Sequence, residues 1–173
     1  MTSFGLGLQS GALLVVFVGA VVGGLIQALL PLPVRLLLFA ALAGAVVLRE
    51  AGLIRLPVPE NKRLVPEDVQ HRGKVVGPIQ FGFEMGTNMR TYSPSALPHL
   101  VLLGVLLVVP FTGALAAGAG FAVARWLMPM ASIGYGADGG WEDGWRTYRR
   151  QLAVATAVAT VTAVATGIAL TAW

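Results

Sequence analysis

The chain has 173 residues, of which 56% are hydrophobic and 12% charged, with a mean hydropathy of +0.77; a soluble domain carries about twice that share of charge. The net charge of +4 forms no basic stripe of the kind nucleic acid needs, because the arginines and lysines gather beside apolar runs. With no cysteine and only two histidines, disulfides, thiolate metal sites and thiol relays are excluded.

Ala12 to Leu30 is apolar or small at every position except Gln27 and is closed by Pro31 and Pro33, long enough for a helix to cross about 30 Å of hydrocarbon. A cleaved leader is not expected: no Lys or Arg precedes the run, and a second apolar run follows at once. That second run, Val34 to Leu48, has Arg35 near its start and Arg49-Glu50 at its end. The turn between the two is short, so they read as a helical hairpin, with Arg35 able to snorkel.

Residues 49–74 carry Arg49, Arg55, Lys62, Arg63, Arg72 and Lys74, broken by Pro57, Pro59 and Pro66. This is the main polar loop. The positive-inside rule places it, and therefore the N-terminus, in the cytoplasm.

Val75 to Tyr92 is apolar enough to enter a bilayer, yet it contains Gly77, Pro78, Gly82, Glu84, Gly86 and Arg90. A continuous lipid-facing helix is not expected there, and a broken or re-entrant segment covered by protein is. On a helix, Gln80, Glu84 and Asn88 fall at successive i, i+4 positions and form one polar ridge, flanked by Thr87 and Thr91. A carboxylate in such surroundings needs a partner, and Arg90 is the nearest cation. Gln80, Glu84, Asn88 and Arg90 are thus the candidate site, read either as a polar pathway or as groups that hold helices together.

Ser95 to Met128 exceeds one span. Either Pro110 to Gly113 makes a turn between helices 95–109 and 112–128, giving six membrane segments, or Pro110 kinks one long helix, giving five. The loop 129–150 carries Arg146, Arg149 and Arg150, which favours the cytoplasmic side. Residues 151–173 form a last helix of Ala, Val and Thr, and Trp141, Trp145 and Trp173 suit a membrane interface.

Other motifs offer little chemistry. His99, at the start of an apolar run, suits a capping or interfacial role, and His71 lies in the basic loop. The string Gly113, Gly118 and Gly120 lacks the Lys-Ser/Thr ending of a phosphate loop and reads as a helix-packing face. No catalytic residue, metal site or cofactor is nominated.

The stretch VPENKRLVPEDVQHRGKVVGPIQFGFEMGTNMRTYSPSALPHL, with GAGFAVARWLMP further on, resembles small actinobacterial members of the cytochrome c biogenesis and disulfide-reductase transmembrane family, the CcdA- and DsbD-like proteins. The matching positions are Arg63-Leu64-Val65-Pro66, Phe81-Gly82 through Gly86 to Arg90-Thr91, and Gly120 through Arg125 to Pro129, about a third of the chain. The resemblance implies a bundle of two three-helix halves. That family moves electrons through paired cysteines, which this chain lacks, so a scaffold role is what the resemblance leaves.

The expectation is an all-α polytopic transmembrane bundle forming one domain over residues 1–173, in a bacterial cytoplasmic membrane. Its partners would be the lipid bilayer and other membrane subunits, and not nucleic acid. A non-catalytic subunit or assembly factor is the leading reading, and a small transporter with a pathway around Glu84 and Arg90 is the alternative.

Overall fold

The computed structural model describes residues 2–57, 66, 69, 72–88, 95–134 and 140–171. All regular elements among them are helices: α1 Thr2–Leu29, α2 Leu32–Glu50, α3 Val76–Gly86, α4 Leu97–Leu107, α5 Phe111–Gly134 and α6 Gly140–Thr171. Three stretches, Thr2–Leu29, Leu32–Glu50 and Phe111–Ala131, are long and apolar enough to cross a membrane.

Several boundaries differ from the sequence expectation. α1 starts ten residues before Ala12, because Ser10 turns its hydroxyl back onto the Gly7 carbonyl at 2.9 Å and so fits inside a helix. The α1–α2 turn is short as expected, with Pro31 as N-cap and Val34 and Arg35 donating to the Pro31 carbonyl. α2 includes Arg49 and Glu50 and ends one step later. There Gly52 adopts φ +76° and Leu53 donates to the Leu48 carbonyl, a left-handed cap that suits glycine.

The segment 75–92 is not broken at its glycines. Residues 76–86 form one continuous helix, since Pro78 falls in the first turn, where its missing N–H has no helical acceptor to lose. The helix stops at Thr87 and Asn88, and residues 89–92 lie outside the described set. Ser95 to Met128 holds two helices, and the connection Val108 to Pro110 lies earlier than the expected Pro110 to Gly113 turn. Proline at the position before α5 can accept from Ala114 without needing to donate. The expected loop 129–150 is largely helical. α5 runs through Pro129 to Gly134, and α6 opens at Gly140 with Glu142 and Asp143 in its first turn, where the helix dipole favours acids.

By contact density the chain falls into two compact units, Met1–Phe17 with Pro59–Ser93 and Leu115–Gly140, and Val18–Val58 with Pro94–Ala114 and Trp141–Trp173. In the first, Leu8, Ala12 and Ala122 form the core, with Phe4, Met85, Phe121 and Trp126 packed on it. α1 and α3 meet there backbone to backbone. Cβ atoms added to Gly7 and Gly11 of α1 would strike the carbonyls of Ile79 and Phe83, and those added to Gly82 and Gly86 of α3 would strike the carbonyls of Phe4 and Leu8. Each helix therefore offers a pair of glycines four residues apart to the other, the spacing that places both on one face.

In the second unit Phe39, Ala43, Val46, Ala96, Leu100, Leu107 and Val108 form the core between α2 and α4. The later part of α1 carries another such pair, Gly19 and Gly23. A Cβ on Gly23 would lie 2.7 Å from the Val105 carbonyl oxygen of α4.

Candidate functional site

Three of the four sequence-nominated residues lie in the described set, all on or just past α3. Arg72 donates from Nη1 to Gln80 Oε1 at 3.1 Å, and Gln80 donates from Nε2 to Glu84 Oε1 at 3.2 Å. The i, i+4 spacing does bring Gln80 and Glu84 together. Arg72, which composition assigns to the basic loop, heads the chain of bonds.

Asn88 leaves the ridge. It adopts φ 55°, the left-handed conformation that Asn tolerates better than most residues, and its amide donates to the Met85 carbonyl. Its side-chain oxygen accepts from Arg125 Nη1 at 3.0 Å, and the same nitrogen donates to the Met85 carbonyl at 2.9 Å. The Arg125 guanidinium also lies 5.4 Å from the centre of the Phe121 ring. Arg125 thus closes the C-terminal end of α3, where backbone carbonyls have no helical donor. Arg90, its expected pairing with Glu84, and Thr91 lie outside the described residues.

The second unit repeats this use of polar side chains. α4, like α3, has only 11 residues, about 16 Å of helix. Gln27, the one polar residue of the first apolar run, donates from Nε2 to the carbonyls of Val105, Leu106 and Val109 at 3.2 to 3.4 Å. Arg35 donates to the Leu107 carbonyl at 3.2 Å, so it caps α4 rather than snorkelling away from the protein. At the other end Glu50, its side chain only 6% exposed, accepts from the Ala96 amide and from Arg49, both at 2.8 Å. Arg49 in turn holds the Leu56 carbonyl at 3.0 Å, and Arg150 of α6 donates to the Ala51 carbonyl at 2.8 Å.

Sequence reasoning had marked Gln27, Arg35, Arg49 and Glu50 as exceptions or boundaries. Their place within or at the ends of apolar runs was the available clue, because a polar group surrounded by aliphatic side chains needs a partner. His99 occupies the first turn of α4, and Gly118 packs on Val16, whereas Gly120 faces open space. Among the described residues no group of three or more His, Cys, Asp or Glu side chains could hold a metal ion.

Comparison with protein-family profiles, with curated proteins and with solved structures finds no match to this chain.

Proposed function

We propose that this chain is a non-catalytic integral membrane protein that serves as a subunit or assembly factor of a larger membrane complex. The observation that carries the reading is the use of Gln27, Arg35 and Arg125. Each directs its donors at backbone carbonyls on the ends of the half-length helices α3 and α4, which is the work of a scaffold. A conduction path needs polar groups that face a passing solute. The resemblance to a thiol-relay family whose cysteines are missing here points the same way.

The membrane arrangement that fits best has five crossings, by α1, α2, α5 and α6 and by the short α4 together with its flanking residues 95–96 and 108–110, with the N-terminus in the cytoplasm of a bacterium. The bonds Glu50 to Ala96 and Arg35 to Leu107 run α4 antiparallel to α2. The end of α2 and the start of α4 then share one side, which supports reading the segment that holds α3 as re-entrant. The bond of Arg150 to Ala51 supports a start of α6 on the same side as the end of α2, and Arg49, Arg55, Arg146, Arg149 and Arg150 favour the cytoplasm for that side.

Natural absence of cysteine makes the arrangement directly testable. Single cysteines at Gly52 and Gly144 are expected to react with an impermeant maleimide from the cytoplasmic face, and one at Pro110 from the opposite face. Labelling of Gly144→Cys and Pro110→Cys from the same face would refute the five-crossing arrangement. For function, mild detergent extraction should recover the chain with defined membrane partners. If it runs alone and Glu84→Gln abolishes a solute flux in vesicles, the subunit reading fails and the transporter reading replaces it.

A further inference from the structure

We infer that the cytoplasmic end of the second unit is a docking surface for anionic phospholipid headgroups. The inference rests on the membrane reading above and adds a ligand class to it. α6 begins with a segment whose two sides differ. Trp145, Tyr148 and Leu152, at i, i+3 and i+7, share one face and are 42%, 56% and 48% exposed. Arg150, on the other side of the helix, is held by the Ala51 carbonyl. That bond turns the aromatic side away from α2, so the exposed rings have no covering element among the described residues of this unit.

The charges of this end are arranged unequally. Arg49 is paired with Glu50, and Arg146 with Glu142 at 3.3 Å. Arg150 donates to the Ala51 carbonyl, and Arg55 and Arg149 are exposed, with no ion pair to an acid among the described residues. Arg55 lies in the turn that Arg49 folds back onto the end of α2 through the Leu56 carbonyl. Exposed Trp and Tyr beside unpaired arginine, at the end of apolar helices, is the combination that settles at the headgroup level of an anionic leaflet. A second protein is a poorer fit, because the same face passes from Trp145 and Tyr148 to the exposed Leu152 and on into the Ala-, Val- and Thr-rich remainder of α6, a surface suited to acyl chains.

The test uses the full chain in bilayer nanodiscs of equal phosphatidylcholine and phosphatidylglycerol, released into native mass spectrometry. The wild type is expected to retain phosphatidylglycerol in preference to phosphatidylcholine. Arg55→Gln with Arg149→Gln should lower that retention by roughly fivefold for each arginine removed, while Arg55→Lys with Arg149→Lys should keep it. The lysine pair guards against a folding artefact, as does an unchanged helical circular dichroism spectrum.

Equal retention of both lipids, or a preference that survives the double Gln variant, would overturn the inference. So would displacement by inorganic phosphate at millimolar concentration, which would mark a free-anion site. Cysteine labelling and co-purification report separately on the membrane arrangement and the subunit reading, so either can fail while the other stands.

Discussion

Gly82 and Leu8 approach so closely that a Cβ on Gly82 would sit 3.0 Å from the Leu8 amide nitrogen and would strike the Phe4 carbonyl as well. Both neighbours are backbone, so no side-chain rotation can relieve the clash. Gly82→Ala should therefore force α1 and α3 apart and lower stability by about 1–3 kcal/mol, the usual range for overpacking. Gly120→Ala is the control: nothing lies within 4 Å of its added Cβ, and replacing glycine inside a helix should raise stability by about 0.5–1 kcal/mol. Thermal unfolding in one detergent reads both, and equal stability of the two variants would contradict the close packing of α1 on α3.

Asn88 combines a left-handed backbone with acceptance from Arg125, and three substitutions separate these roles. Asn88→Gly keeps the backbone freedom and loses the side chain that accepts from Arg125. Asn88→Ala loses both, with an added cost of about 1–2 kcal/mol for the left-handed conformation. Arg125→Met keeps apolar length but removes both donated bonds, leaving the Met85 carbonyl less satisfied. The expected stability order is wild type, then the Gly variant, then Ala. A Gly variant less stable than Ala would show that the positive φ does not govern this helix end.

How far the sequence foretold this arrangement depends on the range of the interaction. The α1–α2 hairpin was readable because Pro31 and Pro33 act on their immediate neighbours, and Gln80 with Glu84 because i, i+4 spacing is a local rule. The end of α3 was not readable. Asn88 continues the four-residue spacing, yet it takes the left-handed region and its side chain meets Arg125, 37 residues away. The same holds for Glu50, which marks the end of an apolar run in sequence yet caps a helix 46 residues later.

Glu50 joins the Ala96 amide to Arg49 at the start of α4. Glu50→Gln can still accept from Ala96 but leaves Arg49 without its counter-charge, whereas Glu50→Ala leaves both donors unmet. An unsatisfied buried donor costs about 1–3 kcal/mol. The Ala variant should fall in that range and the Gln variant should fall between it and the wild type. Because Ala96 is the N-cap of α4, amide exchange should quicken first at Leu97 to Leu100 in the Ala variant. Uniform quickening across all helices would count against a local cap.

Gln27 gives the sharpest distinction between a structural and a conducting role. Its amide nitrogen reaches three carbonyls at the end of α4, so Gln27→Leu preserves volume while leaving those carbonyls short of a donor. If Gln27 serves only as a cap, the Leu variant should lose about 1–3 kcal/mol of stability. Its α4 end should also exchange faster, with assembly partners still recovered at reduced yield. Gln27→Glu should be worse than Leu, since a charged carboxylate would face three carbonyl oxygens with no proton to give, and lowering the pH to protonate it should restore stability. A Glu variant as stable as wild type at neutral pH would mean that water reaches this helix end, and the capping account of α4 would have to be abandoned.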